Sequence, residues 1–255
     1  MGKLEILKEK LKNREKILTT TVGNISWSGI IELISRFSFD GVVIDIEHGT
    51  ISVEGAEALL RTCRLCDLPG IVRISDCVSN IISKTLDMGA DGIIVPRVEG
   101  VEQVECAVSA MRYFPRGRKG CGGFSNLRAE DCGSVHKYND NRLLFIQIES
   151  KEGLCVLPEI LEKYRDELSG VLIGPYDASI MLGTPLDILS DEMTEFIGKV
   201  FSICNKKKIS CGSFVDDKTL IPRYEKLGGN FFWTATEISL LSESYRSLCD
   251  AFSKK

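Results

Sequence analysis

Eight short apolar runs recur along the chain, at residues 17–22, 41–47, 70–74, 92–96, 143–149, 170–173, 209–214 and 230–234, each followed by a stretch long enough for a helix. Runs such as Gly41-Val42-Val43-Ile44-Asp45 and Gly92-Ile93-Ile94-Val95-Pro96 are continuously apolar, the mark of parallel strands covered on both faces. Between runs the apolar residues recur at helical spacing, as in Val53, Ala56, Leu59, Leu60 and Cys63, and again in Ile81, Ile82, Leu86 and Met88. The opening segment, residues 4–16, sets Leu4, Ile6, Leu7 and Leu11 among lysines and glutamates and predicts an amphipathic helix over one end of the fold. The segment 238–252 carries Leu240, Leu241, Tyr245, Leu248 and Phe252 near the same period and predicts a terminal helix with one buried face.

Eight strand and helix alternations in 255 residues point to an α/β fold, a single closed (β/α)8 barrel over residues 1–255. An open doubly wound sheet would carry a glycine-rich phosphate turn after its first strand, and Thr19-Thr20-Thr21-Val22-Gly23-Asn24 is not one. With 32 basic and 36 acidic residues, a formal charge of −4, there is no global positive field for nucleic acid. No apolar run approaches the ~20 residues that cross a bilayer, and Met1-Gly2-Lys3-Leu4-Glu5 lacks a secretion signal's apolar core. A cytoplasmic protein with no membrane partner is expected. The ten cysteines lie in apolar stretches at irregular spacing and read as buried thiols, Cys63 and Cys66 included. His48 and His136 are the two histidines, so a metal site would have to rely on carboxylates.

In a barrel, the polar residues that end the strands face the carboxyl-end mouth, where such folds place their chemistry. The strand ends here supply Asp45, Glu47 and His48, then Arg73, then Arg97 and Glu99, then Gln147 and Glu149, and Asp177 just past the sixth run. Gln147 and Glu149 alternate around Ile148 and so share one strand face. A carboxylate aimed into a barrel mouth is costly without a compensating cation, and Asp177 on the neighbouring run is placed to share one, which suits a hard divalent metal. Asp45 and His48 supply acid/base equipment, an imidazole beside a carboxylate. The aperiodic segment from Tyr113 to Asn141 is long enough for a lid or contact loop, and Arg116-Gly117-Arg118-Lys119 within it offers positive charge to an anionic substrate or a subunit contact.

The ordered strings 39–48 (Phe-Asp-Gly-Val-Val-Ile-Asp-Ile-Glu-His), Val72-Arg73, 89–96 (Gly-Ala-Asp-Gly-Ile-Ile-Val-Pro), Tyr113-Phe114-Pro115, Gln147-Ile148-Glu149-Ser150, 173–177 (Ile-Gly-Pro-Tyr-Asp) and Leu182-Gly183 run through most of the chain. In that order they resemble the HpcH/HpaI class II aldolase family of pyruvate-dependent aldolases, within the phosphoenolpyruvate/pyruvate TIM barrel superfamily. The resemblance implies a divalent cation (Mg, Mn or Co) chelated by pyruvate, with Glu149 and Asp177 as metal ligands and Gln147 beside them. It also implies that Arg73 holds the keto oxygen, that His48 oriented by Asp45 is the acid/base, and that the backbone at Tyr176 and Asp177 cradles the pyruvate carboxylate. Substrates would be pyruvate with an aldehyde, or the 4-hydroxy-2-oxoacid they form, of the 2-keto-3-deoxy sugar acid or 4-hydroxy-2-oxo-diacid type. Two departures bear on specificity: Tyr176 stands where the family commonly has a small residue, and Lys119 replaces an arginine.

The competing readings are a class I aldolase with a Schiff base at Lys151, an acyl-CoA lyase of the citrate-lyase type, and a non-catalytic ketoacid-binding barrel. The resemblance further implies a homo-oligomer, often a hexamer, with the terminal helix exchanged between subunits.

Overall fold

A computed structural model describes residues 1–122, 131 and 134–253. Eight parallel strands, β1 (Ile17–Val22), β2 (Gly41–Asp45), β3 (Gly70–Arg73), β4 (Gly92–Val95), β5 (Leu143–Gln147), β6 (Gly170–Ile173), β7 (Ser210–Val215) and β8 (Phe231–Thr236), pair in chain order and close β8 on β1. Helix α1 (Lys3–Asn13) precedes the barrel. The outer layer is α2 (Gly29–Ser35), α3 (Val53–Leu65), α4 (Ser79–Asp87), α5 (Val101–Met111), α6 (Val135–Asn141), α7 (Lys151–Tyr164), α8 (Pro175–Leu182), α9 (Asp191–Lys206), α10 (Ile221–Lys226) and α11 (Glu237–Ser253). This is the (β/α)8 barrel that the alternation predicts. The last strand runs past its apolar stretch because Thr236 pairs with Thr21 after a register shift, a polar extension that hydrophobicity does not mark. Among the described residues no helix is long and apolar enough to cross a membrane.

The period of two along each strand divides the core in two. Outward residues such as Val42, Ile44, Val72, Ile93, Val95, Leu144, Ile146, Val171 and Ile173 pack under the helices. Inward residues Ile17, Val43, Ile71, Ile94, Phe145, Leu172 and Phe231 fill the barrel, and Leu4, Leu7 and Leu11 of α1 join them from below. Burying a leucine is worth roughly 2 kcal/mol, so three of them hold α1 as a stopper at the amino end. Continuing inward along the same strands toward the carboxyl end, the apolar series gives way to Thr19 and Thr21, Asp45, Arg73, Gln147 and then Glu149. Closure of the amino end and polarity at the other leave one mouth for chemistry.

The basic stretch 116–119 turns away from that mouth. Arg116 bonds Glu167 and Asp140, Arg112 bonds the same Glu167, and the buried Lys119 ammonium bonds Asp87 at 2.6 Å. Arg112, Arg116 and Glu167 line a cavity beside Leu143, Ser169 and Ser210, at the strands' amino ends. Lys119 and Arg116 therefore cross-link the scaffold, and attraction of a substrate to the carboxyl-end mouth is not their work. The middle of the glycine-rich segment expected as a lid, residues 123–130 with 132–133, lies outside the described residues.

One tie was invisible to pattern reading. Glu237, at the first position of α11, is buried, and its carboxylate accepts hydrogen bonds from the backbone N–H groups of Gly23, Asn24 and Ile25. It pins the β1–α2 loop, part of the mouth, to the end of the barrel. Glu237→Ala leaves those donors unsatisfied and is expected to cost about 3 kcal/mol, read as a lower urea midpoint with unchanged slope. Beyond Glu237, α11 leaves the barrel: Ile238, Leu240, Leu241, Tyr245, Leu248 and Phe252 are all exposed. The face that the sequence predicts to be buried is not buried against its own barrel.

Candidate active site

Strand geometry brings Asp45, Arg73, Gln147 and Glu149 to one mouth, and the β6–α8 turn adds Asp177. Asp45 and Arg73 are register partners on β2 and β3. The Arg73 guanidinium donates Nε–H to Asp45 Oδ1 at 2.9 Å and Nη2–H to Oδ2 at 2.5 Å, a bidentate pair. Its third nitrogen, Nη1, lies 3.2 Å from Glu47 Oε2, and its carbon centre lies 4.9 Å from the ring centroid of Trp233. Burial works against the charge on Arg73, but the hydrogen bonds and charge of Asp45, with Glu47 and Glu149, outweigh it and raise its pKa above the ordinary value. The result is a fixed cation in a sheltered wall.

Asp45 serves His48 differently from the sequence expectation. Its Oδ1 accepts the backbone N–H of Glu47 at 3.0 Å and that of His48 at 3.4 Å, shaping the turn after β2. The carboxylates within 4 Å of the imidazole Nε2 are Glu47 at 3.7 Å and Asp177 at 3.8 Å. The His48 side chain is 56% exposed, facing the mouth where a substrate would arrive. Glu47, which the sequence presents at a strand end without a role, is the hub of this cluster: 7% exposed, it also takes the Arg97 Nε at 3.3 Å. Burial raises its pKa, with Arg73 pulling the other way. The signal for it was present, since Asp45 and Glu47 alternate as Gln147 and Glu149 do.

Beyond Arg97, which pairs with Glu47, Glu149 is 4% exposed. Its Oε1 accepts from the Gln147 amide at 2.7 Å and its Oε2 from the backbone N–H of Arg97 at 3.2 Å, both uncharged donors. Burial, with Asp177 and Glu47 nearby, pushes its carboxyl up to about 8. Gln147 Oε1 is buried without a hydrogen-bond partner. Gly174 is glycine for room: a Cβ there would fall 1.9 Å from Glu149 Oε1. A buried carboxylate in a field of carboxylates, with an orphaned amide oxygen beside it, is a donor set of hard oxygens that suits a divalent cation. No cluster of three or more His, Cys, Asp or Glu residues forms a complete cage among the described residues. A cation held through two carboxylates would keep positions open for substrate oxygens and water, as magnesium sites commonly do.

Two hollows meet at Asp177. One, of about 330 Å³, is lined by Thr21, Asn24, Asp45, His48, Arg73, Tyr176, Asp177, Phe214 and Trp233. The other, of about 390 Å³, takes in Arg97, Glu99, Glu149, Asp177 and Met181. Pro175 opens α8 at its first turn, so the backbone of Tyr176 and Asp177 lies at a helix N-terminus, where N–H groups favour an anion. Lys151 is exposed at the start of α7, on the solvent side of the fifth strand's end.

Residues 26–241 match the HpcH/HpaI aldolase/citrate lyase family. A hydroxypyruvate/pyruvate aldolase of Roseobacter denitrificans is 30% identical over 229 residues, which cover 88% of this chain and 88% of that protein. A 4-hydroxy-2-oxo-heptane-1,7-dioate aldolase of Klebsiella pneumoniae is 30% identical over 225 residues, 87% of this chain and 84% of that one. The crystal structure of an HpcH/HpaI aldolase from Desulfitobacterium hafniense superposes with a TM-score of 0.89 over 98% of this chain and 97% of that one; at 20% identity it speaks to the fold. With a family match over most of its length and curated relatives at this identity and coverage, the chain belongs to the HpcH/HpaI aldolase/citrate lyase family.

Proposed function

We propose that this chain is a divalent-metal-dependent aldolase that reversibly cleaves a 4-hydroxy-2-oxoacid to pyruvate and an aldehyde. The observation that carries the proposal is the buried Glu149 carboxylate, bonded only to uncharged donors among the described residues and set near Asp177, Glu47 and Arg73. Glu149 and Asp177 would hold the cation, which when bound supplies a Lewis acid for the ketoacid's oxygens. Every other task falls to the chain's own groups. The N–H groups at Tyr176 and Asp177 suit the substrate carboxylate. Arg73, held in place by Asp45, faces the keto oxygen and stabilises negative charge that grows as the carbon–carbon bond breaks, so it binds the transition state more strongly than the ground state. His48 takes the proton from the 4-hydroxyl in cleavage and returns it in addition, its Nε2 lying 3.7 Å from Glu47 and 3.8 Å from Asp177.

Protein stripped with chelator and reloaded with Mg, Mn or Co is expected to release pyruvate from 4-hydroxy-2-oxoacids, followed by coupling to lactate dehydrogenase, and not to act on malyl- or citramalyl-CoA. Activity that survives chelator, together with borohydride trapping of pyruvate on a lysine, would replace the metal with a Schiff base and overturn the proposal. The relatives' names favour this chemistry: hydroxypyruvate/pyruvate aldolase and 4-hydroxy-2-oxo-heptane-1,7-dioate aldolase.

The exposed apolar face of α11 supports a homo-oligomer in which a partner subunit receives this helix, a hexamer by the family resemblance. Sedimentation is expected to give a multiple of the 28.3 kDa chain, and Leu241→Asp with Leu248→Asp to shift the mass downward. A monomer before substitution would contradict this.

A further inference from the structure

Between Arg73 and the rim, the 330 Å³ hollow is walled by aromatic rings in series. Trp233 lies under the Arg73 guanidinium and donates its indole N–H to Thr21 Oγ1 at 2.6 Å. Phe214 meets Trp233 edge-on with centroids 5.4 Å apart, and Tyr176 follows Phe214 at 6.4 Å. The Tyr176 hydroxyl faces Asp216 at 3.4 Å, an exposed carboxylate on the rim. The wall thus begins at the group assigned to the keto oxygen and runs outward to the rim.

Charge sharpens the argument. Among the described residues lining this hollow, Arg73 is the one lysine or arginine, and its nitrogens already face Asp45 and Glu47. At the outer end of the wall the Tyr176 hydroxyl meets the acidic Asp216, while His48 lines the hollow beside Asp177 and Arg97 lies on the hollow that adjoins it. A second carboxylate lodged between these rings and Asp216 would lose its water against the wall and meet the Asp216 charge.

We infer that Tyr176 and Phe214, backed by the buried Trp233, form the acceptor subsite and that it selects an uncharged aldehyde with an apolar, preferably aromatic, face over one that bears a carboxylate. This rests on the aldolase reading above and goes beyond it by naming the acceptor class. Flat rings offer stacking and edge contacts to a planar acceptor, and a carboxylate-bearing acceptor of the same size gains nothing from them.

The test uses the full-length, metal-loaded protein with pyruvate and two acceptors of similar size, 4-methylbenzaldehyde and 4-carboxybenzaldehyde. The expected result is at least a tenfold preference in kcat/KM for the neutral acceptor. Asp216→Lys, an exposed change, is expected to cut that ratio at least tenfold, and Phe214→Ala to cut the preference for 4-methylbenzaldehyde over propanal by a similar factor. Equal or better use of the carboxylated acceptor, or ratios unmoved by both variants, would overturn the assignment while solvent deuterium exchange into pyruvate still reports a working enolising site. Absence of that exchange in the unaltered protein would overturn the aldolase reading itself, and this assignment with it.

Discussion

Glu149→Gln is expected to lower affinity for Mn by a factor on the order of 100 or more, measured by calorimetry or by the Mn spin-resonance signal. Glutamine keeps the size and one of the two accepted bonds, from the Gln147 amide or from the Arg97 N–H, so the loss of affinity falls mainly on the charge. The same change is expected to raise the urea midpoint of the metal-free protein. In that state burial, with Asp177 and Glu47 nearby, holds the carboxyl up at about 8, so at neutral pH folding must protonate it, a cost that glutamine does not carry. Loss of metal binding together with gain of stability is a pair of results that a merely structural carboxylate would not produce. A structural Glu149 would lose stability and leave Mn binding alone.

Arg73→Lys carries the second large effect. A lysine supplies one point charge where the guanidinium supplies a fork to Asp45, a third contact to Glu47 and a flat face to Trp233. Enolisation of pyruvate is expected to slow by roughly 100-fold or more, in line with the loss of one fixed transition-state donor. The effect should fall on kcat more than on KM, because the oxygen carries most of its charge only as the bond breaks. Arg73→Met would go further, leaving Asp45 buried without a cation and Glu47 with Arg97 alone, at a cost of about 3–5 kcal/mol in stability. An Arg73→Lys variant with unchanged kcat would place Arg73 in the scaffold.

The barrel was legible because its strands are short, apolar and regularly spaced, and because period-two alternation alone sends Gln147 and Glu149 to the same side of β5. That logic brings Asp45, Arg73, Gln147 and Glu149 to one mouth without any knowledge of contacts. It stops where partners are chosen across space. Nothing in the local pattern says that Glu237 bonds a loop more than two hundred positions earlier, and a buried glutamate at a helix start reads as ordinary first-turn chemistry. Lys119 and Arg116 were legible as charges but not as paired charges, since Asp87 and Glu167 lie on other elements. Asp45 was readable as a neighbour of His48, yet its carboxylate is occupied by Arg73, its register partner, and reaches His48 through the backbone. Glu47 shows the reverse: its alternation with Asp45 was in plain view, and its role as a bridge between Arg73 and Arg97 follows once β3 is set beside β2 and β4 beside β3.

The central claim is that two carboxylates, Glu149 just past β5 and Asp177 in the first turn of α8, hold a cation that makes bound pyruvate acidic at its methyl group. The most direct measurement follows deuterium from solvent into that methyl by proton NMR while Mg, Mn or Co is titrated into chelator-treated protein, with no aldehyde present. The account expects exchange to rise with bound metal, to stop on adding chelator, and to be largely lost in Glu149→Gln. Exchange at full rate in the metal-free protein, or none with any of the three metals, would contradict it.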